Sequence, residues 1–186
     1  MSARQIRRAS KLPLIAAHPL RERQKSFDDP DWLFKLKYDG YRALLYFERG
    51  RGQLISRNGR HMKRFDALAS ALVPLVKDQS AILDGEIVVK DTTGRPIFLD
   101  LMPRRDDASC VASDLVWLDG RNLRRKPLLE RKRALGRIIP RRRRPLIETG
   151  IWLYGAGSKL FELVIDHDLE GIVAKRKDGA YSASTL

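Results

Sequence analysis

The sequence predicts an α+β domain built from mainly antiparallel sheets with packed helices. Two observations predict this class. Segments rich in branched and aromatic residues are separated by turn residues, and three stretches of helical periodicity lie between them. The 186 residues amount to little more than one domain, with 43% hydrophobic and 32% charged residues. This composition is globular and excludes a wholly disordered or fibrous chain.

The first half of the chain predicts a meander of three strands. Asp39 and Gly40 supply turn chemistry between the first two strands, which we therefore predict to pair with each other. Residues 49–52, which contain two glycines, form the next turn. The three strands span residues 32–37, 41–47 and 53–56.

The rest of the chain predicts three helices and three further strands. In the first helix, which starts at Lys63, apolar residues recur at spacings of three and four until Pro74 ends the helix near Leu72. Pro127 suits the first position of the second helix, whose apolar residues run to Ile139. The third helix spans residues 158–166, and the strands span residues 81–90, 110–118 and 171–175.

The composition excludes several classes of protein. No uncharged apolar run approaches the ~18 residues of a membrane span. The single cysteine, Cys110, forms neither an intramolecular disulfide nor a thiolate metal site, and the three histidines lack metal-ligand spacing. Cysteine usage of this kind suits a reducing compartment, so we predict a cytoplasmic protein.

The chain carries 37 basic and 23 acidic residues, a net charge of +14 that attracts polyanions. Nucleic acid is the predicted partner, and an anionic membrane is the second choice. Residues 121–144 hold twelve basic residues and one acidic residue. We interpret a run within this block either as a solvated loop or as a contact to the DNA backbone. The run consists of Arg141, Arg142, Arg143 and Arg144.

We expect two parts in the chain. Residues 1–26, where five basic residues precede the first acid, form a solvated basic arm. Residues 27–186 form the folded domain.

A six-residue motif stands at the end of the first predicted strand. Lys37, Asp39, Gly40 and Arg42 match the pattern K-x-D-G-x-R. By accident these four identities recur roughly once in a thousand chains of this length. Taken alone, the motif is compatible with a hairpin turn flanked by surface cations and with a reactive lysine.

Four further segments follow in a fixed order. They are S-R-N-G at residues 56–59, L-D-G-E at residues 83–86, D-L and L-D-G between residues 114 and 120, and E-G-I-V-A-K at residues 170–175. Through these five segments the chain resembles the adenylation (nucleotidyltransferase) domain of ATP-dependent DNA ligases, from about residue 32 to residue 175. The resemblance implies an ATP-grasp-like fold and a role in DNA repair and recombination.

The resemblance also implies a covalent mechanism that uses ATP and Mg²⁺. Lys37 attacks the α-phosphate of ATP, releases pyrophosphate and passes AMP to the 5′-phosphate of nicked double-stranded DNA. Glu86 contacts the ribose and Glu170 helps to hold the metal, while Asp39 orients the lysine or supports the metal. The contacts implied for phosphate, either of ATP or of the 5′ end of DNA, come from Arg42, Arg57 and Lys175.

The physical chemistry of the residues agrees with these roles. A lysine must be neutral to attack phosphorus, whereas the reference pKa of a lysine is about 10.4. Nearby cations such as Lys175 and Arg42 would favour the neutral amine. Alternation along a strand puts Asp84 and Glu86 on one face, so that Glu86 can point into a cleft. Taken alone, Glu86 or Glu170 would more often be a solvated strand carboxylate.

Two positions depart from the family's pattern. Ser113 stands where the family usually has an aromatic residue that stacks on adenine, so we expect nucleotide binding to be weaker by on the order of 1 to 3 kcal/mol. Lys35, two residues before the nucleophile, stands where many relatives carry an acid, and it alters the field around adenine. We interpret the remaining aromatic candidates for base stacking as core residues. They are Trp117, Trp152 and Tyr154.

After the position of Lys175, the family continues into a strand with two phosphate-binding lysines and an oligonucleotide-binding-fold domain. Because this continuation would begin at residues 181–186, we expect the chain alone to be incomplete for nick sealing. Two other functions stay open. One is an RNA ligase or capping-type nucleotidyltransferase, and the other is a non-catalytic relative that binds nucleic acid through its basic surface. We expect a monomer without a membrane partner, in the bacterial cytosol or nucleoid.

Overall fold

The computed structural model describes residues 12–76, 80–91, 94, 101, 107–139 and 146–182, within which the chain forms nine strands and three α-helices. The strands are β1 (Asp28–Leu36), β2 (Tyr41–Glu48), β3 (Arg51–Ser56), β4 (Ala81–Val88), β5 (Ser109–Leu118), β6 (Arg121–Asn122), β7 (Ile147–Thr149), β8 (Trp152–Ala156) and β9 (Ile172–Arg176). The helices are α1 (Asp66–Leu72), α2 (Leu128–Ile138) and α3 (Gly157–Asp166). The predicted α+β class is confirmed.

The strands form two sheets. The larger sheet has the order β3-β2-β4-β5-β6, with β7 paired to β5, and the smaller sheet has the order β8-β1-β9. In the part of the chain that the structure describes, β5 and β7 run parallel and every other strand pair is antiparallel. The mainly antiparallel sheets are therefore confirmed. Sequence patterning missed β6, β7 and β8, which are short strands of two, three and five residues.

The three predicted helices are present. A 3₁₀ turn at Lys63–Phe65 leads into α1, and the helix ends before a second 3₁₀ turn that contains Pro74, as the proline predicted. Pro127 precedes α2 as its N-cap residue, one position earlier than expected. None of the described helices has the length and apolar character needed to cross a membrane.

The predicted pairing of the first two strands is wrong. The strand predicted at residues 32–37 corresponds to β1, which pairs with β8 and β9. By contrast, β2 pairs with β3 and β4 in the other sheet. Gly40 lies where the chain crosses between the sheets, and a Cβ there would lie 2.4 Å from the carbonyl oxygen of Ile87. The glycine is therefore needed for close approach to β4 and not for a hairpin. Local turn chemistry does not specify which strand becomes the partner.

The main core lies between the larger sheet and helices α1 and α2, with Phe65 from the 3₁₀ turn before α1, Leu72 from α1 and Leu135 from α2 fully buried. A smaller cluster covers the other face of the sheet. It contains Ile15, which lies ahead of the boundary expected at residue 26 and is 2% exposed. The backbone N–H of Ile15 donates to the hydroxyl of Tyr46 at 3.0 Å, so this stretch packs on the domain.

A buried ion pair attaches α2 to β5. The Arg131 guanidinium donates to both carboxylate oxygens of Asp114, at 2.9 and 3.0 Å, and the side chains are 2% and 0% exposed. Arg131 also donates to the carbonyl oxygen of Gly179 at 3.0 Å, beyond β9. One of the twelve basic residues in the 121–144 block is thus a core residue and not a DNA contact.

The third helix covers the outer face of the smaller sheet. Its first residue, Gly157, lies so close to β1 that a Cβ would be 2.2 Å from the carbonyl oxygen of Phe27 and 2.4 Å from the Phe34 ring. By contrast, a Cβ on Gly136, in the last turn of α2, would meet no atom within 4 Å. The two helix glycines therefore serve different purposes.

We expect Gly157→Ala to lower the free energy of unfolding by about 1 to 3 kcal/mol, because the added methyl group overpacks the contact between α3 and β1. Gly136→Ala is the matched control, and it should raise the free energy of unfolding by about 0.5 to 1 kcal/mol through helix propensity. Denaturant unfolding of both variants checks the pair. Equal effects of the two substitutions would contradict the packing described for α3.

Removing one partner of the buried ion pair should have a larger effect. Arg131→Met leaves the Asp114 carboxylate buried without its partner, and we expect a loss of about 3 to 5 kcal/mol in the free energy of unfolding. Arg133→Met, two residues along the same helix at an exposed position, should change this free energy by less than about 0.5 kcal/mol. A small effect of Arg131→Met in the same unfolding assay would show that the pair does not stabilise the fold.

Candidate active site

Pairing of β1 with β9 brings together the first and last motif segments. Leu36 lies opposite Ile172, and just beyond this pair the backbone N–H of Lys37 donates to the carbonyl oxygen of Gly171 at 2.8 Å. The ammonium of Lys37 forms an ion pair with the carboxylate of Glu170, and both side chains are partly exposed. Two residues that the sequence assigned to the same chemistry are therefore in direct contact.

The larger sheet supplies a second charged pair. Arg42 on β2 donates two hydrogen bonds to the Asp84 carboxylate on β4, at 3.0 and 2.7 Å, and a third to the carbonyl oxygen of His18 at 2.7 Å. The Tyr181 hydroxyl donates to the same carboxylate at 3.1 Å. Burial opposes ionisation of Asp84, but Arg42 holds the pKa of this carboxyl below its usual value. Arg42, predicted as a phosphate ligand, thus has a structural partner.

Glu86 lies two residues beyond Asp84 on β4, and Leu83 and Ile87 face the main core, as strand alternation predicted. Burial raises the pKa of Glu86 to about 7, although the charge of Lys35 on β1 acts in the opposite direction. The charge of Lys35 on one sheet thus acts on Glu86 on the other. Glu86 therefore gains or loses its proton near neutral pH.

A group of lysines lines the smaller sheet and the adjacent helix. Burial and the charge of Lys175 lower the pKa of Lys35 to about 8. Burial also lowers the pKa of Lys132, on α2, well below its usual value, and Lys35 and Lys175 act in the same direction. The Lys132 ammonium lies 3.1 Å from the centre of the Trp152 ring.

Sequence reasoning missed Lys132. Lys132 belongs to the basic block at residues 121–144. We interpreted that block by its total charge and did not consider the burial of its individual residues. The available signal was helical spacing, since Lys132 lies four residues after Leu128 and three before Leu135, both buried. Two of the twelve basic residues in that block, Arg131 and Lys132, therefore face inward.

Three further predictions concern residues outside this group. Asp39 and Arg57 are exposed in the turns after β1 and β3, and neither forms an ion pair within the described ranges. Ser113 is buried on β5, and its hydroxyl donates to the carbonyl oxygen of Asp84 at 3.2 Å. The run Arg141, Arg142, Arg143 and Arg144 lies outside the described residues.

The site has the donor set for one Mg²⁺ ion held together with a phosphate substrate. No cluster of three or more His, Cys, Asp or Glu side chains suited to a metal occurs among the residues that the structure describes. Mg²⁺ is commonly held by one or two carboxylates together with substrate phosphates and water. Glu170 supplies one partly exposed carboxylate beside Lys37, which fits that mode of binding.

Comparisons with known proteins agree with this arrangement. The model of the ATP dependent DNA ligase domain family matches residues 15–185. The multifunctional non-homologous end joining protein LigD of Mycobacterium bovis is 33% identical over 171 residues, which cover 91% of this chain and 22% of the relative. LigD of Pseudomonas aeruginosa is 33% identical over 157 residues, covering 81% of this chain and 19% of the relative.

Solved structures give the same result. The ligase domain of Mycobacterium tuberculosis LigD has a TM-score of 0.73 at 30% identity, and the similarity covers 91% of this chain and 54% of that one. A mycobacterial DNA ligase D complexed with ATP and MES has a TM-score of 0.72 at 29% identity, covering 91% of this chain and 55% of that one. The adenylation-domain fold is confirmed.

The chain spans about a fifth of the length of the LigD relatives and about half of the solved ligase chains. The relatives and the family match favour a DNA ligase over the RNA ligase or capping-type alternative. Since the match runs from residue 15 to residue 185, this chain belongs to the family of ATP-dependent DNA ligase domains.

Proposed function

We propose that this chain adenylylates itself on Lys37 with ATP and passes the AMP to the 5′-phosphate of nicked double-stranded DNA. The contact between Lys37 and Glu170 carries the proposal, because it joins the first and last motif segments at one point of the fold. The charges of Lys35 and Lys37 act on Glu86 of β4, in the other sheet, which supports a shared site.

The first step forms one bond and breaks another. The lone pair of Lys37 Nζ attacks the α-phosphorus of ATP, a P–N bond forms, and the bond to the bridging oxygen breaks so that pyrophosphate leaves. An ammonium has no lone pair, so Lys37 must lose a proton first. Glu170 is the carboxylate in contact with the ammonium, and it can accept that proton or relay it to solvent.

Glu170 has a second role that competes with the first. It is the carboxylate that would hold Mg²⁺, which when bound neutralises phosphate charge and polarises the phosphoryl group. One carboxylate does not pair fully with Lys37 and with a divalent ion at the same time. Separation of Glu170 from Lys37 is therefore part of activating the lysine.

The other motif residues have supporting roles in this proposal. Lys175 contributes positive charge to the cleft, where it favours phosphate binding. Glu86 accepts hydrogen bonds from the ribose hydroxyls. Arg42 and the exposed Arg57 face phosphate, with Arg42 held in place by Asp84. Asp39 orients the lysine or supports the metal.

Binding of nicked DNA uses the exposed cations of the chain. Arg121, Arg125 and Lys126 are exposed around β6 and before α2, on the part of the basic block that is described. Contacts of this type to the DNA backbone are independent of sequence and weaken with salt. The run at residues 141–144 is proposed to extend this surface on the ground of its charge alone.

Loss of Lys37 should abolish covalent labelling. After incubation with ATP and Mg²⁺, intact mass and peptide mapping should find AMP on Lys37 of the unsubstituted chain and none above background on Lys37→Ala. Lys159→Ala is the matched control, since it removes an exposed lysine of α3, on the outer side of the smaller sheet. It should label like the unsubstituted chain. AMP found on a different lysine would refute the assignment.

Nucleoside binding should depend on the protonation of Glu86. The pKa of this group is raised to about 7, so its carboxylate is charged above pH 7 and becomes protonated as the pH falls below 7. A protonated carboxyl is a poorer acceptor for ribose hydroxyls, and affinity for adenosine should therefore fall about tenfold from pH 8 to pH 6. Adenosine is the ligand because it has no phosphate that titrates in this range.

Glu86→Gln is the control for this pH dependence. The amide does not titrate, so the tenfold change should be absent from the variant, and calorimetric dissociation constants across the pH series measure the difference. An unchanged pH profile in Glu86→Gln would show that another group is responsible and that Glu86 does not bind the ribose.

A further inference from the structure

The ammonium of Lys132 occupies an unusual environment. It lies directly over the Trp152 ring, 3.1 Å from the ring centre, and within the described part of the chain it is one of two buried side-chain nitrogen or oxygen atoms without a hydrogen-bond partner. An ammonium carries three donors, and leaving them unsatisfied away from water is costly. The attraction of the ring face offsets only a part of that cost.

Neighbouring charges increase the cost. Lys35 lies 5.9 Å from the centre of the same Trp152 ring, and Lys175 adds a third positive charge that acts on Lys132. The charges of Lys35 and Lys175 act against a positive charge on Lys132, and Lys175 also acts against a positive charge on Lys35. A ligand that presents hydrogen-bond acceptors would relieve both the repulsion and the missing hydrogen bonds. This arrangement points to a binding site.

The strand register places this site next to the reactive lysine. Trp152 on β8 lies opposite Lys35 on β1, and Lys35 precedes Lys37 by two residues on the same strand. Two residues along a strand span about 6.6 Å. A group bound over Trp152 therefore lies one sugar unit away from a phosphate at Lys37. In a nucleotide, the base is the group at that distance from the α-phosphate.

We propose that Trp152 and Lys132 form the base-binding wall of the nucleotide site. The base stacks on the face of Trp152 that Lys132 covers in the free chain, and Lys132 turns aside and donates to acceptor nitrogens at the edge of the base. This inference rests on the proposed function, because it places the base of the nucleotide that reacts with Lys37. It reverses the interpretation of Trp152 as a core residue.

A nucleobase fits this wall better than an inorganic anion does. The Trp152 ring supplies an apolar face that a base covers by stacking, whereas a phosphate would gain nothing from it. Ser113 cannot act in place of Trp152, since it has no ring and its hydroxyl already donates to the carbonyl oxygen of Asp84. A flat base with acceptor nitrogens can both stack on the Trp152 ring and accept hydrogen bonds from Lys132.

The test compares a ligand that has a base with a ligand that has none. Dissociation constants of adenosine and of inorganic tripolyphosphate are measured by calorimetry for the full chain and for Trp152→Leu, Trp152→Phe, Lys132→Met and Lys132→Arg. Trp32→Leu is the matched control, because Trp32 lies on the opposite face of β1 and packs edge-to-face on Phe27. Circular dichroism verifies that each variant is folded.

We expect Trp152→Leu to weaken adenosine binding about tenfold or more, with most of the affinity kept in Trp152→Phe, which retains a ring. Lys132→Met should weaken adenosine binding about tenfold, and Lys132→Arg should restore most of it. Trp32→Leu should bind like the unsubstituted chain. Tripolyphosphate binding should be insensitive to the Trp152 substitutions.

Three results would overturn the inference. These are unchanged adenosine affinity in Trp152→Leu and Lys132→Met, failure of the unsubstituted chain to bind adenosine, and an equal loss of tripolyphosphate binding in Lys132→Met. Labelling of Lys37 by ATP is measured in parallel. If Lys37 takes up AMP while the variants bind adenosine normally, the inference alone fails. If adenosine binding depends on Trp152 but no AMP appears on Lys37, the proposed function fails and the inference stands.

Discussion

Antiparallel pairing of β1 with β9 is the interaction on which the site depends. Hydrogen bonding between these strands continues into the contact between the Lys37 N–H and Gly171, which leaves the Lys37 side chain beside Glu170. Backbone hydrogen bonds between β1 and β9 fix the position of the Lys37 backbone relative to Glu170. The same strand pairs with β8 on its other edge and thereby places Trp152 opposite Lys35.

The second constraint is the buried carboxylate of Asp84. It accepts hydrogen bonds from Arg42 and from the Tyr181 hydroxyl, and Arg42 reaches the carbonyl oxygen of His18. Segments before β1 and after β9 are thus attached to the centre of the larger sheet. A buried carboxylate requires such partners, because its charge has lost the stabilisation of water. The network therefore orients Arg42 and joins the two ends of the described chain to the wall of the cleft.

Charge in the cleft is unbalanced toward the positive. Burial and the charge of Lys175 lower the pKa values of Lys35 and Lys132, and the charge of Lys35 also acts on Lys132. The carboxyl of Glu86 is also buried, with its pKa raised to about 7. Such an arrangement costs stability, because like charges repel and buried groups have lost the stabilisation of water. Groups with shifted pKa values tend to cluster at functional sites, and here Lys35 and Glu86 lie in or close to the motif segments.

The sequence by itself determined the class of fold and the position of most helices and strands, and its motifs singled out Lys37 and Glu170, which the fold brings into contact. Periodicity and short motifs are local properties and can be recognised without the tertiary structure. Tertiary structure alone decided that β1 leaves the predicted hairpin for a second sheet, and that Lys132 turns inward from a block of surface charge. Strand partners and side-chain burial depend on contacts between residues far apart in the chain. No local pattern contains that information, since an Asp-Gly turn or a helical lysine is compatible with either outcome.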